Sequence, residues 1–320
     1  MTAPRLSICI VSWNTRQLLL ECLESVFADP QAAAWEVIVV DNGSGDGSPE
    51  AVRARFPRVD LVESGENLGF SGGNNLAIAR ARAPYLLLLN SDTRVEVGAL
   101  GALVDFVEAR PEIGAAGPKL LNGDGSLQLS CGIAPSLRTE IVHKLLLHKV
   151  FPMFKLGRWN HSQVRPVGWV SGACILVRRQ ALDEVGPLDP GFYMFHEDVE
   201  WCLRFNRGGW GVYYYPCSRV VHLGGQSTRQ DFSRMLVVSQ RSLFHLFKKH
   251  FGHGRLQALR ALTLIEMALR ALVWAGQALR PARREEARQR LRAYGEIARR
   301  TLTERSYWFP QDDDAGAGNR

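Results

Sequence analysis

YLLLLNSDTRVE, residues 85–96, runs five side chains fit for a core into Asn90-Ser91-Asp92. An apolar run closed that abruptly reads as a strand delivered to the edge of a sheet. The stretches LSICIVSW (6–13), WEVIVVDN (35–42) and VDLVE (59–63) share its character: short, mostly apolar and rich in β-branched residues. Continuous rather than alternating apolar runs predict strands covered on both faces. Between them, TRQLLLECLESVFA (15–28) sets Leu18, Leu19, Cys22, Leu23 and Val26 on one side of a helix. GNNLAIARARA (73–83) follows a cluster of glycines as a second helical pattern. Strands alternating with helices predict an α/β fold with a largely parallel central sheet flanked by helices.

Beyond about residue 110 the rhythm changes. GAAGPKLLNGDGSLQLSCG reads as a hairpin-like excursion with an NGDG turn. Residues 135–165 are basic and apolar without clear boundaries, and GWVSGACILVRRQALDEVG returns to strand and then helix. VYYYPCSRVVHLGG (212–225) reads as a strand pair broken at Pro216. From 231 to 305 nearly every residue is compatible with helix, and DDDAGAGNR at the end reads as disordered.

At 320 residues, 46% hydrophobic and 22% charged, the chain has the composition of a soluble globular protein. Its six cysteines lack CxxC spacing and several stand in apolar runs, which favours buried thiols over disulfides or zinc ligands. MTAPRLSICIVSW is too short and too polar-flanked to read as a secretory signal. The net charge of +7 is uneven, with 15 Lys/Arg against 5 Asp/Glu in residues 241–305 and near balance before them. That pattern argues against nucleic acid over the whole surface and for one anionic contact zone.

In a parallel α/β sheet, ligands bind beyond the carboxyl ends of the strands, and four polar clusters fall there. In NSD, Asn90 and Asp92 point the same way from an extended segment and can converge on one Mg²⁺ or Mn²⁺; the alternative is a polar turn. Asp41, closing WEVIVVD, either accepts a hydrogen bond from a nucleotide or opens an Asx turn. GENLGFSGGNN could bring backbone N–H groups close to a phosphate, although it matches neither GxGxxG nor a P-loop. In FHEDVEWCLR, Glu197-Asp198 either cap a helix or supply a general base. His222 could be a third metal ligand or a structural histidine.

In order, LSICIVSWNT, VIVVDNGSGDGS, NLGFSGGNNLAI, LLLLNSDT, GWVSGACILVRRQAL, GPLDPGFYMFHEDVEWCLR and HLGGQST resemble the family 2 glycosyltransferases with the GT-A fold. The nearest likeness is to the rhamnosyltransferase-like branch that builds bacterial surface polysaccharide, and it covers roughly residues 5–230. The resemblance implies a nucleotide-sugar-binding half (1–110) and an acceptor-binding and catalytic half (111–230); outside it, 231–305 reads as a basic amphipathic helical extension and 306–320 as a disordered tail. It implies an inverting transfer of a sugar, preferentially L-rhamnose from dTDP-rhamnose, onto a glycan or lipid-linked acceptor. UDP- and GDP-sugars remain open. Asp41, with Asn42 beside it, would contact the base or ribose; Asn67, Gly69 and Asn74 would line the donor loop; Asn90, Ser91 and Asp92 stand where the family has its DxD motif. Asp92 and His222 would hold Mg²⁺ or Mn²⁺, Asp198 would be the catalytic base, and Glu197 would position it or meet the acceptor. Asn90 departs from the family in bringing no charge to that motif. This leaves open a protein that keeps the fold without turnover.

The segment 255–284 is long and periodic, with Arg255, Glu266, Arg270, Gln277, Arg280 and Arg284 on one side. Leu259, Leu262, Met267, Leu269 and Leu272 lie largely away from it. Charges inside the segment argue against a spanning helix and suit an interfacial one on an anionic membrane, in a cytoplasmic protein peripheral to the inner face. The alternative is packing on the catalytic domain or on a second subunit.

Overall fold

A computed structural model of the chain describes residues 3–145, 159–224 and 232–303. Two compact units emerge: Met1–Ala134 with Gly157–Pro190 and Glu197–Ser227, and Pro135–Leu156 with Gly191–His196 and Thr228–Arg320. The strands of the first unit are β1 (Leu6–Ser12), β2 (Trp35–Asp41), β3 (Asp60–Glu63), β4 (Tyr85–Asn90), β5 (Thr93–Val95) and β6 (Ile113–Leu121). They continue as β7 (Leu127–Gln128), β8 (Cys131–Gly132), β9 (Arg165–Pro166), β10 (Trp169–Val170), β11 (Cys174–Arg178) and β12 (Gly211–His222). The main sheet runs β3-β2-β1-β4-β11-β6-β12-β5, with β7 on β6 and β9 on β12. Its first four strands are parallel. β11 enters antiparallel to both neighbours, and β12 runs parallel to β6.

The continuous apolar runs are covered on both faces, as their patterning predicts. Leu6, Ile8 and Ile10 of β1 join one core with Val37, Val39, Leu87 and Leu89. Cys9, Ile38, Val40, Leu86 and Leu88 point into the other. β3 differs: it ends the sheet and is only half covered, so VDLVE behaves as an edge strand. In the Arg16–Phe27 helix, Leu20 rather than Leu18 joins Leu19, Cys22, Leu23 and Val26 in the core. The tract around Pro216 is one strand with a register shift between Tyr215 and Arg219, because a bulge lets proline stand in a ladder without breaking it. Five cysteines are buried thiols and Cys217 is exposed.

The order β2-β1-β4 is the switch point of the sheet, where the chain reverses its direction of crossing. Register sets Ser12 beside Asp41, and Val11 beside Asn90. Three of the polar clusters therefore begin at one level of one edge.

The second unit is helical: Leu137–Lys144, Phe232–Phe251, His253–Ala278 and Arg284–Thr303. The long basic segment is not one helix, since it stops before Pro281 and turns back. Leu256, Leu259, Thr263, Glu266 and Met267 form its buried stripe at three- and four-residue spacing. Glu266 thus leaves the polar side expected for it. Lys144 Nζ, itself buried, reaches Glu266 Oε2 at 2.8 Å and Gln240 Oε1 at 3.1 Å, and Arg270 Nε donates to Glu266 Oε1 at 2.8 Å. The DDDAGAGNR and QST stretches lie outside the described residues.

Removing Lys144 leaves Glu266 Oε2 without its donor while Arg270 keeps Oε1. Lys144→Met should lower stability by about 1–3 kcal/mol, with most of the loss recovered in Lys144→Met/Glu266→Leu. Equilibrium urea unfolding checks this, and a single variant as stable as the wild type would contradict it.

Candidate active site

Asp41 ends β2 and is 4% exposed. Its Oδ2 accepts from Ser44 N–H, three residues on, at 2.9 Å, so the carboxylate also braces the polar loop that it opens. Its Oδ1 is buried and has no hydrogen-bond partner among the described residues. The loop it opens is fastened to the end of β1: Gly45 N–H donates to Asn14 Oδ1 (2.9 Å), Asn14 N–H to Ser44 Oγ (2.9 Å) and Arg16 N–H to Asp46 Oδ2 (2.8 Å). A carboxylate oxygen aimed from so rigid a turn, without an internal donor, is fitted to accept from a ligand N–H or hydroxyl.

The glycine-rich stretch differs from its expected loop, because Gly69–Arg80 is itself helix. A Cβ on Gly73 would stand 2.8 Å from a methyl carbon of Val11, so this glycine lets the helix lie against β1. The asparagines are spent inside the protein. Asn42 Nδ2 donates to Asn67 Oδ1 and Gly69 O, and Asn42 Oδ1 accepts from Leu68 N–H. Asn67 Oδ1 also takes the Gly69 N–H at 3.0 Å, and the buried Asn74 donates to Phe70 O. Asn42 therefore spends both amide atoms, Asn67 its oxygen and Asn74 its Nδ2 on shaping this stretch, and the Gly69 N–H is not free for phosphate. Asn75, which sequence reasoning passed over, clamps Leu188 through both its amide atoms.

NSD closes β4 as expected. Ser91 turns back to Thr15 Oγ1 (3.1 Å), which is itself 2.9 Å from Ser12 Oγ. Asn90 and Asp92 face His222: its Nε2 lies 3.3 Å from Asn90 Nδ2 and 3.2 Å from Asp92 Oδ1. A lone pair on Nε2 satisfies the amide and opposes the carboxylate; a proton there does the reverse. A cation held between Asp92 and Nε2 satisfies both, and two neighbouring ligands of a divalent ion in octahedral geometry stand about 3 Å apart. Turning the Asn90 amide over adds its oxygen. The donor set fits a hard or borderline divalent cation.

β11 runs antiparallel to β4, so the turn before it arrives at the same edge. Asn90 N–H donates to Ala173 O at 2.9 Å. One residue earlier, Gly172 N–H donates to Asp198 Oδ2 at 2.8 Å. A Cβ on Gly172 would meet Phe70 at 3.2 Å and Asp198 Cβ at 3.4 Å, so this close approach favours glycine. Phe195 and His196 carry left-handed φ of +67° and +63°, which non-glycine residues adopt at a cost. Directly after them, Glu197 and Asp198 open the Glu197–Arg207 helix. Glu200 and Arg204 pair within that helix, and Arg204 and Trp201 hold Gly186 O. Glu200, Trp201 and Arg204 are thus held inside the fold, while Glu197 and Asp198 stand at the head of the helix.

Burial holds the Glu197 carboxyl well above its ordinary range, and the neighbouring Asp198 charge adds to the effect. Glu197 Oε2 is buried without a hydrogen-bond partner among the described residues. Asp198 keeps some solvent access, yet burial raises its carboxyl too, against the backbone N–H groups of Gly172 and Val199 that stabilise its anion.

The family model for glycosyl transferase family 2 matches residues 7–186. An N-acetylglucosaminyl-diphospho-decaprenol L-rhamnosyltransferase of Mycobacterium tuberculosis is 33% identical over 270 residues, 78% of this chain and 86% of that one. A rhamnosyltransferase of Escherichia coli is 26% identical over 265 residues, 78% of this chain and 95% of that one. Among solved structures, a mannosyltransferase from Pyrobaculum calidifontis in complex with GDP-Man and Mn²⁺ shares the fold, at 17% identity and a TM-score of 0.57, covering 96% of this chain and 89% of that one. The chain belongs to glycosyl transferase family 2. It is a glycosyltransferase with the GT-A architecture.

A carboxyl whose native pKa is raised keeps a proton that the unfolded chain releases. Its stabilising contribution is complete below the ordinary value of 4.5 for Glu197 and is lost as pH rises through the native value. Glu197→Gln should therefore gain stability over the wild type as pH rises above 4.5. Thermal unfolding from pH 4 to 8 checks this, and a gap of constant size would contradict it.

Proposed function

We propose that the chain is an inverting, metal-assisted transferase. It moves a sugar, preferentially L-rhamnose from dTDP-rhamnose, onto a hydroxyl of a glycan or lipid-linked acceptor in cell-surface polysaccharide synthesis. The rhamnosyltransferase names of two relatives support the sugar and the process. The observation that carries the mechanism is the junction at Gly172 and Ala173, which ties Asp198 and Asn90 to consecutive residues of one turn.

Asp41 Oδ1 receives the base or ribose of the donor nucleotide. Asp92 and His222, with Asn90 beside them, hold Mg²⁺ or Mn²⁺. The bound cation supplies positive charge against the diphosphate oxygens. Asp198 takes the proton of the acceptor hydroxyl as that oxygen attacks the anomeric carbon. The bond from that carbon to the diphosphate breaks on the opposite face, and its electron pair leaves with the nucleoside diphosphate. Glu197, whose carboxyl burial raises, positions Asp198 or meets the acceptor. Raised carboxyl pKa values place the acid limb of the rate above the ordinary 3.8 of an aspartate.

The acceptor end of the proposal includes a lipid surface. Ile265, Leu272 and Val273 are 48%, 72% and 57% exposed, and with Leu269 they share one face of the His253–Ala278 helix. That face is apolar within a strongly basic segment, a composition suited to the headgroup boundary of an anionic membrane. Among the described residues no helix is long and apolar enough to cross a membrane.

Asp198→Asn should lower transfer by about 10²- to 10⁴-fold while leaving donor affinity near that of the wild type; transfer near the wild-type rate would remove Asp198 from the role, and hydrolysis-free donor binding by the wild type would favour a non-catalytic protein. Sedimentation with phosphatidylglycerol vesicles at low salt should capture the wild type and lose Leu272→Glu/Val273→Glu. Equal recovery on phosphatidylcholine, or self-association in place of lipid binding, would contradict docking.

A further inference from the structure

The 122–128 hairpin is left without a task by the proposed mechanism. Its turn is built locally: Asn122 N–H donates to Ser126 O at 2.8 Å, and Asp124 Oδ1 takes Ser126 N–H at 2.9 Å. β7 pairs with one side of β6, Leu120 facing Gln128, while β12 pairs with the other side, Leu121 facing Val221. Gln128 and His222 therefore flank the end of β6, and their side chains meet there.

The contacts fix which way the Gln128 amide is turned. Its Nε2 donates to Asn122 Oδ1 at 2.9 Å and to the His222 carbonyl at 3.1 Å, which uses both N–H groups. Asn122 Oδ1 is in turn aimed by its own Nδ2, which donates to Ser126 Oγ at 2.9 Å. Gln128 Oε1, an acceptor, is left 2.7 Å from His222 Nδ1. Nδ1 must then carry the hydrogen. In the neutral ring this puts the lone pair on Nε2, the nitrogen 3.2 Å from Asp92 Oδ1.

We infer that Gln128 is a positioning residue for the cation site: through Asn122 and the hairpin turn it locks His222 in the Nδ1–H tautomer, so that Nε2 is presented as a ligand beside Asp92. The inference rests on the proposed cation site. Such outer partners of a ligating histidine typically change metal affinity 10- to 100-fold when removed.

The experiment uses the full chain with ¹⁵N-labelled histidine at pH 8, and Mn²⁺ alone as the probe. Long-range ¹H–¹⁵N correlation of the metal-free protein should show His222 protonated at Nδ1. Gln128→Leu should populate the Nε2–H form and weaken Mn²⁺ binding about 10- to 100-fold by electron paramagnetic resonance, with circular dichroism unchanged. Gln128→Glu, which keeps an acceptor at Nδ1, should restore the Nδ1–H form. A wild type with hydrogen on Nε2, or Gln128→Leu with wild-type tautomer and Mn²⁺ affinity, overturns the inference. Asp92→Asn separates the two claims. If it abolishes Mn²⁺ binding while Gln128→Leu does not weaken it, only the role of Gln128 fails. If the wild type binds no Mn²⁺, or Asp92→Asn binds it equally, the cation site fails and Gln128 loses its metal role with it.

Discussion

Two hydrogen bonds made by adjacent backbone positions of one turn hold the two ends of the candidate site together. Ala173 O receives Asn90 N–H from the end of β4, and Gly172 N–H is given to Asp198 at the head of a distant helix. Neither bond involves a side chain of the 171–173 turn, so backbone shape alone couples the two positions. Phe70 and Asp198 pack closely beside Gly172, where a Cβ would stand 3.2 Å from the phenyl ring. β11 contributes through its direction: only an antiparallel strand returns its amino end to the edge where the parallel strands deliver their carboxyl ends.

The same edge gathers electrostatic cost. Asp41 Oδ1 and Glu197 Oε2 are buried oxygens without hydrogen-bond partners among the described residues, and burial raises both members of the Glu197-Asp198 pair. Elsewhere buried charge is answered within the fold, as Glu266 is by Lys144 and Arg270 and Glu200 by Arg204. Asp41 and Glu197 are the carboxylates among the buried polar side chains that keep an oxygen without a hydrogen-bond partner among the described residues, and both stand where the proposal places a ligand.

Much of this was legible in the sequence. The unbroken apolar runs of β1, β2 and β4 specified strands covered on both faces, and the polar residues ending them fall together at one edge of the sheet. Asn90, Asp92 and His222 converge although 132 positions separate the first from the last. The gaps have physical causes. A glycine cluster reads alike whether glycine frees a loop or lets a helix approach a strand, and Gly73 serves the second purpose. An asparagine near a ligand loop reads alike whether its amide faces inward or outward, and Asn42 and Asn74 face inward. Glu266 looked exposed because its partner Lys144 lies more than a hundred residues away. Gln128 carried no signal, since a glutamine in a short hairpin gains meaning only when β6 brings His222 beside it.

The central claim is that one sugar lies between the cation ligands and Asp198. The most direct measurement is a crystal structure of the Asp198→Asn protein with Mn²⁺ and intact nucleotide-sugar donor. The account predicts an anomalous manganese peak between Asp92 and His222, with the anomeric carbon facing residue 198 across the Gly172 turn. Manganese bound elsewhere, or a sugar turned away from that residue, would contradict it.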